Sequence, residues 1–374
     1  MNKQIKDFLF ILVTALVIGC VAPTTQRVKP NEEAVAVEAD IQREIAFKEA
    51  INSQQRLYKI GAPILKKSLT FCNDKQTKAI GITYANKYDF EGEFQNIAVS
   101  KLGLSTTLQI TYIFDSYPAE EAGLRTGDIL LSINGEDIPE GKDASKRFSE
   151  LLKKEIKNNE QLLFQIVRNG VIESLVIFPV KICNYPLIVT NDVIVNAFAD
   201  GSNIFITQGM MDFAKSDDEL ALVVSHELAH NTMRHIDAKK TNALGGFVLD
   251  MLIGVFTGVN TQGMFAKSFA QAYSKEFESE ADYVGLYMCE LSGYDISDAA
   301  YFWRRMGVKH PGTIAQNHGA SHPSPPERFV SIESTIKEIE QKKLANEILT
   351  PNINEDVILS RNPPPDSAAN KIGF

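Results

Sequence analysis

Six histidines occur in this 374-residue chain, and two of them, His226 and His230, stand four residues apart with Glu227 between them. On a helix, residues four apart lie one turn above each other, so both imidazoles can point at one metal ion. Two imidazoles beside a carboxylate are the donor pattern of a hydrolytic zinc site. Zinc held there polarises a carbonyl and lowers the pKa of its bound water, and Glu227 is placed to take that water's proton. The chemistry to expect is hydrolysis of an amide.

The spacing has this meaning only inside a helix, and the flanking residues supply one. Ser216-Asp217-Asp218-Glu219 reads as a capping box that starts a helix upstream of the motif. Leu220 to Val224 is continuously apolar, which predicts a buried helix, where unpaired histidines are costly. A catalytic zinc takes a third protein ligand and keeps one position for water. His235 falls one residue short of Ile236, where the metzincin pattern needs its histidine. The segment from Ser274 to Asp282 offers Glu276, Glu278 and Glu280 instead. On a helix, Glu276 and Glu280 share a polar face with Tyr283, Tyr287 and Glu290, expected to meet solvent. Glu278 and Asp282 share theirs with Gly285 and Cys289, small residues that admit a second helix. Phe277, Ala281, Val284 and Met288 form the adjacent core stripe. Glu278 is therefore the expected third ligand of one Zn2+ per chain. Asp282 is placed to accept the other N–H of a zinc histidine.

HELAHNTMRH followed by ESEAD resembles the gluzincin metallopeptidases grouped with the HtpX heat-shock protease and the CaaX prenyl endoprotease. That resemblance, spanning about residues 184–342, implies the same assignment of His226, Glu227, His230, Glu278 and Asp282. Val195 to Ala199 resembles the family's strand before the active-site helix, which implies that substrate pairs along Asn196, Ala197 and Phe198. Ser321-His322-Pro323-Ser324 resembles a downstream motif of the family. His322 is then a candidate to stabilise the oxyanion, to fill the metal's open position at rest, or to serve structure alone. Several relatives are integral membrane proteins, whereas no long apolar span stands out here.

A second resemblance lies upstream. Ser116 to Leu124, leading into Gly127 to Gly135, is similar to the SPAxxAGLxxGDxIxxING core of PDZ domains. The physics agrees: Ile129 to Ile133 reads as a strand, Asn134-Gly135 and Asn169-Gly170 as hairpin turns, and Asp143 to Ile156 as a helix. Strands are expected over 163–167 and 171–180. PDZ folds bind an extended, often C-terminal, peptide as an added strand beside such a helix. Lys101 to Leu104 is either its carboxylate loop or an ordinary strand turn. An insert that only braces the peptidase is the other possibility.

Lys3 and Lys6 precede an apolar run from Phe8 to Ile18, as in a signal peptide, and Val17-Ile18-Gly19-Cys20 resembles a bacterial lipobox. Lipidation of Cys20, with Val21 rather than Asp after it, implies an outer-membrane lipoprotein facing the periplasm. In that oxidising compartment Cys72 and Cys183, which flank the insert, are expected to pair, leaving Cys289 a buried free thiol. The expected fold class is α+β, a mostly helical peptidase domain with a small sheet plus a β-rich PDZ-like domain. Its expected divisions are a signal peptide (1–19), a tether with a first helix over Glu32 to Leu57 (20–71), the PDZ-like insert (73–182), the peptidase (184–348) and a disordered tail (349–374). A buried or cleft-covering helix is expected over 243–259, and an amphipathic one from Arg328 to Ile348. The net charge of −9 argues against nucleic acid as a partner. The expected function is endopeptidase cleavage of unfolded or misassembled envelope proteins, the alternative a peptide-binding chaperone acting through the PDZ domain.

Overall fold

The computed structural model describes Thr25, residues 28–238, Thr241, and residues 274–309 and 326–352. Cys20 and the expected signal segment, the expected helix over 243–259, His322 and the expected tail past 352 lie outside the described residues. Residues 1–46 and 47–374 are two compact units. Helix α1 covers Glu32–Lys67. In the first unit its residues are exposed or half-buried. In the second, Leu57, Ile60, Ala62, Ile64 and Leu65 are buried, so the packed stretch runs past the expected end at Leu57. Gln54 fixes this stretch by donating to the Leu187 carbonyl (3.1 Å) and accepting from the Val189 amide (2.9 Å).

The insert contains β1 (Gln76–Ala79), β2 (Ile82–Ala85), α2 (Glu93–Leu102), β3 (Gln109–Ile113), α3 (Pro118–Glu121), β4 (Ile129–Ile133), β5 (Glu136–Asp137), α4 (Ala144–Asn158), β6 (Leu162–Arg168), β7 (Val171–Ile177) and β8 (Val180–Cys183). One antiparallel sheet runs β2-β3-β4-β6-β7, with β5 paired to β4. Its buried face, including Ile110, Leu130, Phe164 and Ile166, closes over Phe148 of α4. Asn169 and Gly170 both have positive φ (51° and 79°), as a tight hairpin with the strands' own twist requires. The expected strand over 171–180 is divided. β7 stops at Ile177, and β8 pairs with β1 in a separate sheet that forms the neck of the insert. Pro179 supplies the reason, because it has no N–H for the ladder and restricts Phe178 before it. At that neck Cys72 and Cys183 are disulfide-bonded, with Cα atoms 5.6 Å apart.

Lys101 to Leu104 is neither a strand turn nor a carboxylate loop. It is the C-terminal cap of α2, with Gly103 in the left-handed conformation. The amides of Gly103 and Leu104 donate to the Val99 and Ala98 carbonyls, so they are spent on the helix end.

The peptidase part begins with β9 (Leu187–Thr190), β10 (Ala197–Ala199) and β11 (Ile204–Thr207). β11 lies in the centre, parallel to β9 and antiparallel to β10. Helices α5 (Gln208–Phe213), α6 (Asp217–Thr232), α7 (Ser274–Leu291), α8 (Ala299–Lys309) and α9 (Pro326–Leu344) follow. Ser216 caps α6 by accepting the Glu219 amide (3.1 Å), while the Glu219 carboxylate takes the Lys215 amide (2.7 Å). The fold is α+β.

Helices α6 and α7 meet at Gly285. A Cβ there would lie 3.1 Å from both Cα and N of His226, so only glycine allows this approach without a shift. The face of α7 expected to be wet is partly covered. Tyr287 is fully buried, and both it and Tyr283 donate to Glu338 of α9, at 2.6 and 2.7 Å. Helix α9, distant in sequence, makes an interior position out of what local pattern marks as surface. Cys289 is a buried free thiol whose pKa is raised by burial. Iodoacetamide is accordingly expected to leave Cys289 untouched in folded protein and to alkylate it in guanidinium, as read by peptide mapping. Labelling of Cys289 in folded protein would contradict this packing.

Candidate metal centre

Helix α6 buries Leu220 to Thr232 without a break, polar residues included. Such burial is tolerable only if those polar groups converge on partners. They do. The Nε2 atoms of His226 and His230 are 3.1 Å apart. Glu278, from α7, brings Oε2 to 3.4 Å from the first and Oε1 to 3.4 Å from the second. All three residues are buried and offer donor atoms within 4.8 Å of one another. Metal–ligand bonds of about 2.0–2.1 Å in a tetrahedral arrangement separate donor atoms by roughly 3.3 Å. The two imidazoles and the carboxylate therefore fit a zinc ion with a position to spare.

Behind these donors stands a set of charges. His226 Nδ1 lies 2.9 Å from Asp282 Oδ1. Asp282 also receives Arg328 through Nε at 2.6 Å and Nη2 at 2.8 Å. The guanidinium stacks over Trp303, 4.5 Å from the ring centre, and Trp303 in turn packs on His226. Burial works against ionised Asp282, but the Arg328 charge and the bond to His226 outweigh it and lower its pKa. Burial likewise opposes protonated His226, yet Asp282 and Glu278 raise it to about 9. A cation entering metal-free protein therefore displaces a proton. A polar cavity of about 230 Å³ adjoins His230, lined in part by Asp74, Tyr185, Asn231 and Arg234.

The structure brings His226, Glu227, His230, Glu278 and Asp282 into one buried site. Asn196, Ala197 and Phe198 lie at β10, an outer strand of its sheet. Asn196 does not present its backbone to the open side, because its N–H and C=O are both engaged with Thr207. With that register Ala197 and Ala199 turn their peptide groups to the open edge. Sequence reading missed Arg328. Its signal is a cation in the first turn of a helix, where the dipole disfavours it and a buried anion elsewhere has to compensate. Sequence reading placed Glu280 at solvent, where it is half-exposed, but did not show that it bonds His235 at 2.8 Å.

The model of Peptidase family M48 matches residues 169–336, and a PDZ domain model matches residues 110–168. Mitochondrial metalloendopeptidase OMA1 of Arabidopsis thaliana is 32% identical over 145 residues, 38% of this chain and 29% of that protein. OMA1 of Schizosaccharomyces pombe is 29% identical over 165 residues, 42% of this chain and 49% of the relative. The beta-barrel assembly-enhancing protease of Escherichia coli is 30% identical over 129 residues, 29% of this chain and 25% of the relative. The chain spans less than half the length of each of these relatives. The matched segment contains the whole donor cluster and both helices that build it. Over residues 169–336 this chain carries a peptidase family M48 domain, with a PDZ domain ahead of it.

Proposed function

We propose that the protein is a zinc metalloendopeptidase of the cell envelope that cleaves unfolded or misassembled envelope proteins. The observation that carries this reading is the buried convergence of His226, His230 and Glu278, with Glu227 next to His226 on α6. Zinc suits two imidazoles and one carboxylate, and supplies Lewis acidity to a carbonyl and to water. Glu227 takes the proton of the attacking water and returns it to the leaving amine. Ala197 and Ala199 offer an extended substrate a strand edge to pair with. His322 is the further candidate, for stabilising the oxyanion, for holding the metal at rest, or for structure alone.

The envelope setting is supported by the resemblance of Val17 to Cys20 to a lipobox, by the Cys72–Cys183 disulfide and by the bacterial relative named for enhancing β-barrel assembly. Among the described residues no helix is long and apolar enough to cross a membrane, and lipid at Cys20 would supply an outer-membrane anchor. The PDZ domain supports a second reading, a peptide-binding chaperone. Its free sheet edge, β2, lies beside α4, where Tyr84 and Phe148 are in edge-to-face contact at 4.6 Å. A C-terminal peptide would add there as a strand. The deciding assay uses a fluorescent, permanently unfolded protein. Cleavage is expected to stop with a chelator and to return with added Zn2+. Binding without cleavage, in zinc-loaded protein, would replace the peptidase reading with the chaperone one.

A further inference from the structure

Each imidazole that faces the donor cluster through Nε2 has a second nitrogen, and the protein occupies both. His226 Nδ1 faces Asp282, whereas His230 Nδ1 lies 3.0 Å from Nδ1 of another imidazole, His235. Two ring nitrogens at that distance share one proton, so one ring must donate and the other accept. The far side of His235 decides which. Its Nε2 lies 2.8 Å from Glu280 Oε2, and a carboxylate accepts. With Nε2 donating to Glu280, the matching imidazole tautomer of His235 leaves Nδ1 as the acceptor, and His230 donates from Nδ1.

We propose that His235 is a positioning residue of the metal centre: backed by Glu280, it holds His230 in the tautomer that leaves the Nε2 lone pair for the metal. It rests on the reading of His226, His230 and Glu278 as ligands of one ion.

The local backbone is shaped for this contact. In an uninterrupted helix His235, five residues past His230, would point about 140° away from it. Helix α6 instead ends at Thr232, and Arg234 takes a left-handed φ of 58°, a conformation uncommon for a non-glycine residue. That turn swings His235 back against His230. The His235 side chain is then 1% exposed, so water does not replace it as acceptor. Phe277 stacks on its ring at 4.7 Å and 16°, fixing the plane. Glu278, Glu280 and Asp282 all come from one stretch of α7. That stretch thus supplies a metal ligand, the partner of His226 Nδ1 and, through His235, the backing of His230 Nδ1.

The test compares zinc affinity of the full chain, by competition with a chromophoric chelator, in wild type, His235→Phe and His235→Asn. The cobalt-substituted visible spectrum is the second readout. Phenylalanine keeps the ring and its stacking on Phe277 but removes the acceptor. Asparagine loses the ring but can set an oxygen near the place of Nδ1. Positioning predicts about a 10–100-fold loss of affinity and an altered cobalt spectrum in His235→Phe, with most of the loss recovered in His235→Asn. A role in packing alone predicts the reverse order and would overturn the proposal, as would unchanged affinity in His235→Phe. Should His235→Phe fail to fold, Glu280→Ala at the half-exposed rim decides instead. A fall in affinity supports the relay, and none overturns it. A wild-type chain that takes up no Zn2+ would sink the underlying ligand assignment, an outcome distinct from either of these.

Discussion

Glu227→Gln is expected to lower kcat on an unfolded protein by about 10²–10⁴-fold while zinc stays bound at one equivalent. The two side chains have nearly the same shape, so α6 and the imidazoles on either side of position 227 keep their places. What is lost is the ability to accept a proton from water and hand it on. Glu227 is 2% exposed and lies outside the donor set of His226, His230 and Glu278, so removing its charge leaves the ligands intact. Turnover is followed by fluorescence release and metal content by elemental analysis on the same sample. Turnover within tenfold of wild type would assign the base to another group. The same variant separates the two functional readings, because a chaperone would work equally well without a base.

The second large effect is on stability. Arg328→Met retains most of the apolar stem and removes the guanidinium that Asp282 meets through two hydrogen bonds. Both partners are nearly inaccessible, so the carboxylate left behind keeps only its bond to His226 to offset its burial. Breaking such a pair from one side costs about 3–5 kcal/mol, far more than an exposed pair is worth. Denaturant unfolding should report that loss. Adding Asp282→Asn to Arg328→Met should restore much of it, since no buried carboxylate short of a partner then remains. The double variant should still bind zinc about 10–100-fold more weakly, because His226 loses its anionic partner. A change under about 1 kcal/mol in Arg328→Met would show that this pair does not stabilise the fold to that degree.

Local chemistry made much of this protein legible. Ser216 and Glu219 mark the start of α6, and a four-residue spacing on that helix brings two imidazoles together wherever the helix packs. Ile129 to Ile133 forms the strand its apolar run implies. Asn169-Gly170 makes the turn because those residues accept positive φ most readily. Gly285 and Cys289 identified the side of α7 that another helix approaches.

Other features depended on contacts between distant segments. Tyr287 reads as surface until α9 covers it, and Glu280, which does stay half-exposed, gains its partner only when His235 turns back against it. Arg328 stands 46 residues from Asp282, and nothing in its neighbourhood names that partner. By itself, the order of residues determined helices α4, α6 and α7, the hairpin turns and the identity of the clustered donor groups, because periodicity and capping act over a few residues. The pairing of charges behind those groups, the partners that hold each imidazole's outer nitrogen, and the division of strand 171–180 at the neck came from tertiary structure. Burial and electrostatic pairing act through space, and their strength depends on which segments exclude water together.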